Sequence, residues 1–194
     1  MPSNKARYLS NELKDGSSCH DDRSCEMKKE VLMTMKADQV NQLIKTDSLL
    51  LKYGNKVLKE NYSNVNMRGK YTKDKLRLVA RVVLAAKKDS DIISPSDLLQ
   101  PKNFNVLMKA IKPVAGMRFD DTNSSLDHPS NATKVAQHLK EVAKVKEADA
   151  IISNSSDKAK ILSDVQEFEK LFSSMWRTEV GYLASSTISE RNFL

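Results

Sequence analysis

The residues with the most reactive side chains lie in a short polar stretch near the N-terminus. Cys19, His20 and Cys25 bring three potential metal ligands close together. A zinc site needs four ligands, usually arranged as two close pairs, and His128 and His138 belong to other segments. We therefore predict no metal site and no cofactor here, while membership of a longer Cys/His module stays open.

Acid–base and nucleophilic chemistry has little support elsewhere in the chain. There are only 3 histidines, and the sequence contains neither a Gly-rich phosphate loop nor a His-Glu-x-x-His motif. Asp120, Asp121 and Asp127 cluster in a polar loop where nothing fixes a metal-binding geometry. His138 lies beside Lys134 in a helix-forming segment, which is typical of a structural histidine. We therefore expect no catalytic site and no enzymatic activity.

Cations are the side chains that recur with regular spacing. One group repeats at i, i+4 and i+7 in a helix-forming stretch, and a second falls on one arc of the next helix at 100° per residue. Two antiparallel helices would merge these groups and the loop between them into one surface. The predicted nucleic-acid contacts are Lys52, Lys56, Lys59, Arg68, Lys70, Lys73, Arg77, Arg81 and Lys88. No Asn or Gln lies on the strip, so we expect contacts to phosphates rather than to bases.

The distribution of charge supports a polyanionic partner. Residues 45–118 carry 16 Lys or Arg against 6 Asp or Glu, a net charge of +10, whereas residues 1–44 are neutral and residues 119–194 carry −3. A basic middle between neutral and acidic flanks is the electrostatic pattern of a protein that meets nucleic acid. It also occurs in helical proteins that bind none, so a solvated face remains the alternative.

The cationic strip requires a central helix to position it. The spacing predicts this helix from Thr72, its N-cap, to Lys88, with a broad apolar face that neighbours cover. Further helices are predicted where a capping residue precedes an apolar segment of helical period. These caps are Asp38, Asp47, Ser130 and Ser156, the last of which opens the longest helix, to about Ser185. Pro95 is expected near the first position of a further short helix. Gly54 is expected to mark close packing against another helix.

The composition predicts an all-α fold. Hydrophobic residues make up 40% of the chain and aromatic residues 6%, with 5 Gly and 5 Pro. We expect an irregular or orthogonal bundle of about seven or eight helices with no sheet. The predicted divisions are a disordered segment 1–25, a basic helical subdomain 26–118, a C-terminal helical pair 119–187 and a tail 188–194. The expected core contains Leu76, Val79, Val83, Phe104, Leu107, Leu139, Phe168 and Trp176.

Four strings carry a resemblance to a known family: DQVNQLIKTDSLLLKYGNKVL, KLRLVARVVLAAK, SDLLQPKNFNVLMKAIKPVAG and SNATKVAQHLKEV. Together they resemble a helical region of related animal proteins. In longer members that region is similar to the N-terminal, core-binding arm of Crypton-type mobile-element tyrosine recombinases. The resemblance covers about residues 26–187 and rests on pattern and order.

The resemblance implies a helical arm that grips one side of DNA. In the family, the catalytic Arg, His-x-x-Arg and Tyr lie in a separate downstream domain. Residues 20–23 match His-x-x-Arg by letter, but they precede every predicted helix. We therefore expect the DNA-gripping part alone, a non-catalytic DNA-binding module.

The alternative to DNA binding is a helical protein–protein interaction scaffold with no nucleic-acid role. The chain has no apolar run of membrane-spanning length and no apolar signal core, so an intracellular, nuclear location is expected. We expect no membrane association and no small-molecule substrate.

Overall fold

A computed structural model describes residues 26–119 and 124–192 of the 194-residue chain. Within these ranges, eight α-helices form most of the structure. They are α1 (Gln39–Thr46), α2 (Ser48–Glu60), α3 (Arg68–Lys87), α4 (Pro95–Leu98), α5 (Phe104–Val114), α6 (Pro129–Ile152), α7 (Lys158–Trp176) and α8 (Tyr182–Asn192). The all-α prediction is confirmed, together with the expected number of helices.

Three shorter helical elements complete the bundle. A π-helix, Met27–Leu32, precedes α1, and a 3-10 turn, Pro101–Asn103, leads into α5. A π-helical turn, Arg177–Gly181, separates α7 from α8. The sequence predicted one unbroken helix here. The wide turn packs closely against the ring of Trp176. A Cβ on Gly181 would lie only 2.9 Å from the indole Nε1.

The segment expected to be a linker contains a short antiparallel hairpin, where the sequence predicted no sheet. β1 (Met117–Phe119) pairs with β2 (Ser124–Leu126). Gly116 precedes β1 with a φ of 69°, a conformation that glycine adopts at little cost. The Gly116 carbonyl accepts a hydrogen bond from the backbone N–H of Asp127 at 2.9 Å. Three-residue strands are too short to show an alternating pattern, so backbone pairing and the burial of Leu126 define this hairpin.

Local capping determines where several helices begin. Asp38 and Asp47 each accept a hydrogen bond from the backbone N–H three residues later, at 2.9 and 2.8 Å. Ser94 and Asp97 form a reciprocal capping box at the start of α4. The side-chain oxygens satisfy N–H groups that have no partner within the helix. The predicted caps Asp38 and Asp47 are confirmed, and Pro95 occupies the first turn of α4 as expected.

Three other predicted caps are wrong. α3 begins at Arg68, and Thr72 lies inside it with its hydroxyl donating to the Arg68 carbonyl at 2.8 Å. Ser130 and Ser156 do not cap α6 and α7, which begin without a side-chain cap. Pro129 occupies the first position of α6, where its missing N–H needs no partner. Contacts with other elements, rather than a local cap, hold the first turn of α3.

α3 lies at the centre of the fold and packs against α1, α2, α5 and α6. Seven of the eight predicted core residues are buried: Leu76, Val79, Val83, Phe104, Leu107, Leu139 and Phe168. Trp176 is half-buried and stacks on Phe172, with ring centroids 5.0 Å apart. One hydrophobic cluster contains residues from both expected subdomains, while the division at residue 118 stays a prediction.

Gly54 allows the N-terminal π-helix to approach α2 closely. A Cβ at this position would lie 2.5 Å from Cε of Met27 and 3.1 Å from Cδ1 of Leu76. Any larger side chain would therefore displace part of the core, which interiors packed at crystal-like density do not accommodate easily. The prediction of close helix packing at Gly54 is confirmed.

Candidate nucleic-acid interface

Three cations of the predicted set project from the solvent face of α3. Lys70, Arg81 and Lys88 are exposed, and none pairs with another residue in the described part of the chain. At 100° per residue they lie within about 20° of one another. With a rise of 1.5 Å per residue, they form a line about 27 Å long. We call these three residues the exposed cation line; the exposed Asp74 lies about 20° further round the helix.

The other two cations on this side of α3 are bound to the segment that precedes α1. Arg77 donates from both terminal nitrogens to Asp38, at 2.6 and 3.3 Å. This bidentate bond, helped by the N–H of Asn41, lowers the pKa of the Asp38 carboxyl. Lys73 reaches the hydroxyl of Thr34 at 3.4 Å. Arg77 therefore fixes the residue that caps α1, and its charge is already partly neutralised.

Arg68 is a correction to the predicted interface. Its guanidinium is buried and paired with Glu30 and Glu26, with the Nε to Glu30 bond at 2.9 Å. It also lies over the ring of Tyr62, 5.1 Å from the centroid. Because the fork of an arginine matches a carboxylate closely, Arg68 ties the π-helix to the start of α3. It is not available to a phosphate.

The lysines of α2 do not extend the α3 surface as predicted. Lys52 pairs with Asp149 of α6, with 2.5 Å between Nζ and Oδ1, and Lys56 pairs with Glu60 at 2.9 Å. Lys59 is exposed and has no partner among the described residues. The partner of Lys52 lies on another helix, which helical spacing alone could not reveal. The partner of Lys56 is its i+4 neighbour on α2 itself.

A groove between α3 and α6 runs beside the exposed cation line. Its volume is about 640 Å³, and Arg81 of the line forms part of its wall. The groove also contains amide side chains that the sequence analysis missed: Asn61, Asn131 and Gln137. They come from the loop after α2 and from α6, so no pattern within α3 could indicate them. Polar groups suited to hydrogen bonding therefore lie next to the cations.

A polar cluster centred on Glu141 joins three helices beside this groove. Tyr53 of α2 donates to Glu141 Oε2 at 2.5 Å, and Lys75 of α3 donates to the same oxygen at 3.0 Å. Gln137 donates to the other carboxylate oxygen at 3.1 Å. His138 Nδ1 lies 3.5 Å from Oε2 and has no hydrogen-bond partner among the described residues. The cluster fixes the positions of α2, α3 and α6 relative to one another.

Burial and hydrogen bonding act in opposite directions within this cluster. Burial favours the neutral form of Glu141, but hydrogen bonds from Tyr53 and Lys75 outweigh it and lower the pKa of this carboxyl. Burial lowers the pKa of His138, against the attraction of Glu141. Burial raises the pKa of Tyr53, which therefore stays a donor. The arrangement is that of a structural network, with an ionised carboxylate at its centre.

Several residues considered for metal binding fall outside the described ranges: Cys19, His20, Cys25, Asp120 and Asp121. Within the described ranges, no group of three or more His, Cys, Asp or Glu side chains is placed to hold a metal ion. None of the described helices combines the length and the apolar character that crossing a bilayer requires.

Comparison with known proteins finds no matching family model, no matching curated protein and no matching solved structure. The resemblance to the helical arm of tyrosine recombinases therefore stays a prediction.

Proposed function

We propose that this chain is a non-catalytic helical module that binds DNA through the phosphate backbone. The observation that carries the proposal is the exposed cation line, Lys70, Arg81 and Lys88. Cations with no acidic partner can bind phosphates without first breaking an ion pair. A line of about 27 Å spans about eight base pairs along the axis of a B-form duplex, at 3.4 Å each. Binding of this kind depends little on the DNA sequence, and its affinity falls as the salt concentration rises.

The resemblance to a recombinase arm belongs to the same proposal. An all-α bundle with a basic helix at its centre is compatible with a core-binding arm that grips one side of a duplex. On this view the chain works as a DNA-gripping module in the nucleus. We assign no catalytic role to any of its residues.

The proposal is tested by reversing the charge of the exposed cation line. The triple variant Lys70→Glu, Arg81→Glu, Lys88→Glu leaves every ion pair seen among the described residues intact. With three phosphate contacts removed, the slope of log K against log salt should become shallower by about 2.7. Duplex binding is measured by fluorescence anisotropy over a range of salt concentrations, and circular dichroism checks that helicity is unchanged.

A matched control reverses three exposed lysines on other helices, Lys109→Glu, Lys144→Glu and Lys160→Glu. Each is exposed, and none has a partner in the part of the chain that the structure describes. The control changes the net charge equally and should retain most of the duplex affinity. Equal losses in the two variants would mean that binding follows net charge alone, which would refute the assigned interface.

A protein-interaction scaffold is the second candidate function. The observation that favours it is the exposure of Ile151 and Ile152, 47% and 84%, at the end of α6. Contiguous exposed apolar surface marks sites of protein contact, and these two neighbouring isoleucines supply such surface at one end of α6. If this function is the correct one, replacing both residues with serine should abolish binding to the protein partner. The α3 charge reversal should then have no effect on that binding.

A further inference from the structure

The groove between α3 and α6 has the size and lining of a nucleotide site. Its volume of about 640 Å³ lies within the usual range for sites that hold small molecules, about 300–1,000 Å³. The α3 wall carries the ring of Tyr71 among charged side chains, and the facing wall comes from α6. The charged residues on the α3 wall are Asp74, Lys75, Arg77 and Arg81. The groove therefore combines one exposed aromatic ring with polar and charged groups, and on the α3 wall three cations outnumber one carboxylate.

Tyr71 supplies a surface on which a base can stack. Its side chain lines the groove and remains 42% exposed, so it contributes little to the core. Its hydroxyl has no hydrogen-bond partner among the described residues. Exposed aromatic rings beside cations are the usual stacking platforms of proteins that bind single strands, and they accept any base.

The amide side chains of the groove retain unused hydrogen-bonding capacity. Asn131 makes no side-chain hydrogen bond within the described ranges. Asn61 donates its NH₂ to the Val57 carbonyl at 2.8 Å, and Gln137 donates to Glu141, so both keep a free carbonyl oxygen. Base edges present donors and acceptors in the same plane, and amides pair with them well.

The rim of the groove connects it to the proposed DNA surface. Arg81 belongs both to the exposed cation line and to the groove, and Lys134 lies on the opposite rim. Both side chains are exposed and have no partner among the described residues. A strand whose phosphates follow the line therefore passes the mouth of the groove. Bases stacked within a duplex cannot enter, but an unpaired base can.

From these observations we propose that the groove binds one unpaired nucleotide of the DNA strand that follows the exposed cation line. The inference rests on the proposed function and deepens it. The base stacks on Tyr71, the amides of Asn131 and Gln137 meet its edge, and Arg81 and Lys134 bind the flanking phosphates. The chain should thus prefer a duplex next to an unpaired strand over a fully paired one.

Three DNA probes test the proposal with the full chain. They are a blunt duplex, the same duplex with a short oligo-dT extension, and the same duplex with an abasic extension of equal length. The two extensions carry the same phosphates, so the difference between them reports the bases alone. We expect the dT extension to bind at least about fivefold more tightly than the abasic one. Anisotropy titrations at constant salt measure the ratio.

Two variants test whether the preference for the dT extension over the abasic one arises in the groove. Tyr71→Ala and Asn131→Ala should each bring the ratio of dT to abasic binding close to one, while binding of the blunt duplex is retained. Tyr182→Ala is the matched control, because this tyrosine is 71% exposed and does not line the groove. The control should keep the wild-type ratio.

The results with the three probes distinguish a failure of the groove assignment from a failure of the proposed duplex binding. Equal binding of the dT and abasic extensions, or a preference that survives both groove variants, overturns the groove assignment. Binding of the blunt duplex would still support the proposed function in that case. If the blunt duplex fails to bind and the dT extension binds through Tyr71, duplex binding is wrong and the groove assignment stands. Failure of all three probes overturns both.

Discussion

Tyr53 of α2 donates a 2.5 Å hydrogen bond to Glu141 of α6, although 88 residues separate them in the sequence. Lys75 of α3 donates to the same carboxylate oxygen at 3.0 Å. One half-buried carboxylate therefore joins three helices, and it lies beside the groove to which we assign nucleotide binding. The bond fixes how α6 sits against α2 and α3, so stability and the shape of the groove depend on the same contact.

Replacing Tyr53 with Phe should destabilise the fold. The substitution preserves the ring and removes one donor to an ionised carboxylate, a change that typically costs about 1–3 kcal/mol. The free energy of unfolding, measured by urea denaturation, checks this. Tyr182→Phe is the control, because this exposed hydroxyl has no partner in the described ranges and its loss should change stability by less than about 0.5 kcal/mol. Equal effects would mean that the Tyr53 bond contributes nothing.

Val83→Asp should prevent folding at ordinary temperature. Val83 is fully buried in α3, and an unpaired carboxylate in an apolar core costs about 4 kcal/mol or more. Val65→Asp makes the same change at a residue that is 66% exposed, and it should fold normally. Far-UV circular dichroism and thermal melting distinguish the two variants. A Val83→Asp protein as stable as the parent would show that α3 does not lie at the centre of the core.

Stability should fall as the pH drops below about 6.5, because of His138. Burial lowers the pKa of this imidazole in the folded chain, so the unfolded chain takes up a proton at a higher pH. The stability contributed by neutral His138 is therefore complete above the unfolded pKa and is lost below it. In His138→Gln, the free energy of unfolding should depend less on pH below about 6.5. Urea denaturation at several pH values measures the slopes.

Glu141 produces a second, separate transition at lower pH. Its pKa is lowered in the folded chain, so its contribution is complete above the ordinary glutamate pKa of 4.5 and is lost as the pH falls below that value. His138→Gln should leave this lower transition in place. The free energy of unfolding could instead fall equally in the parent and in His138→Gln as the pH drops below about 6.5. That result would contradict the assignment of the first transition to His138.

The helices and the core could be predicted from the sequence because both depend on local patterns. The caps Asp38 and Asp47 act on N–H groups three residues later, and the apolar face of α3 follows from a period of 3.6. The hairpin after α5 and the break after Trp176 were missed. They depend on backbone pairing and on a ring packed against Gly181, neither of which leaves a periodic signal.

The sequence by itself determined that the fold is all-helical and that its cations are concentrated in the middle of the chain. Only the tertiary structure decided which of these cations remain available to bind a phosphate. Arg68 and Lys52 are paired with residues 38 and 97 positions away, whereas Arg81 has no partner among the residues that the structure describes. Tertiary packing also brought Asn131 to the same groove as Tyr71. Helical spacing places a charge on a face, but the partner that neutralises it comes from whichever element packs there.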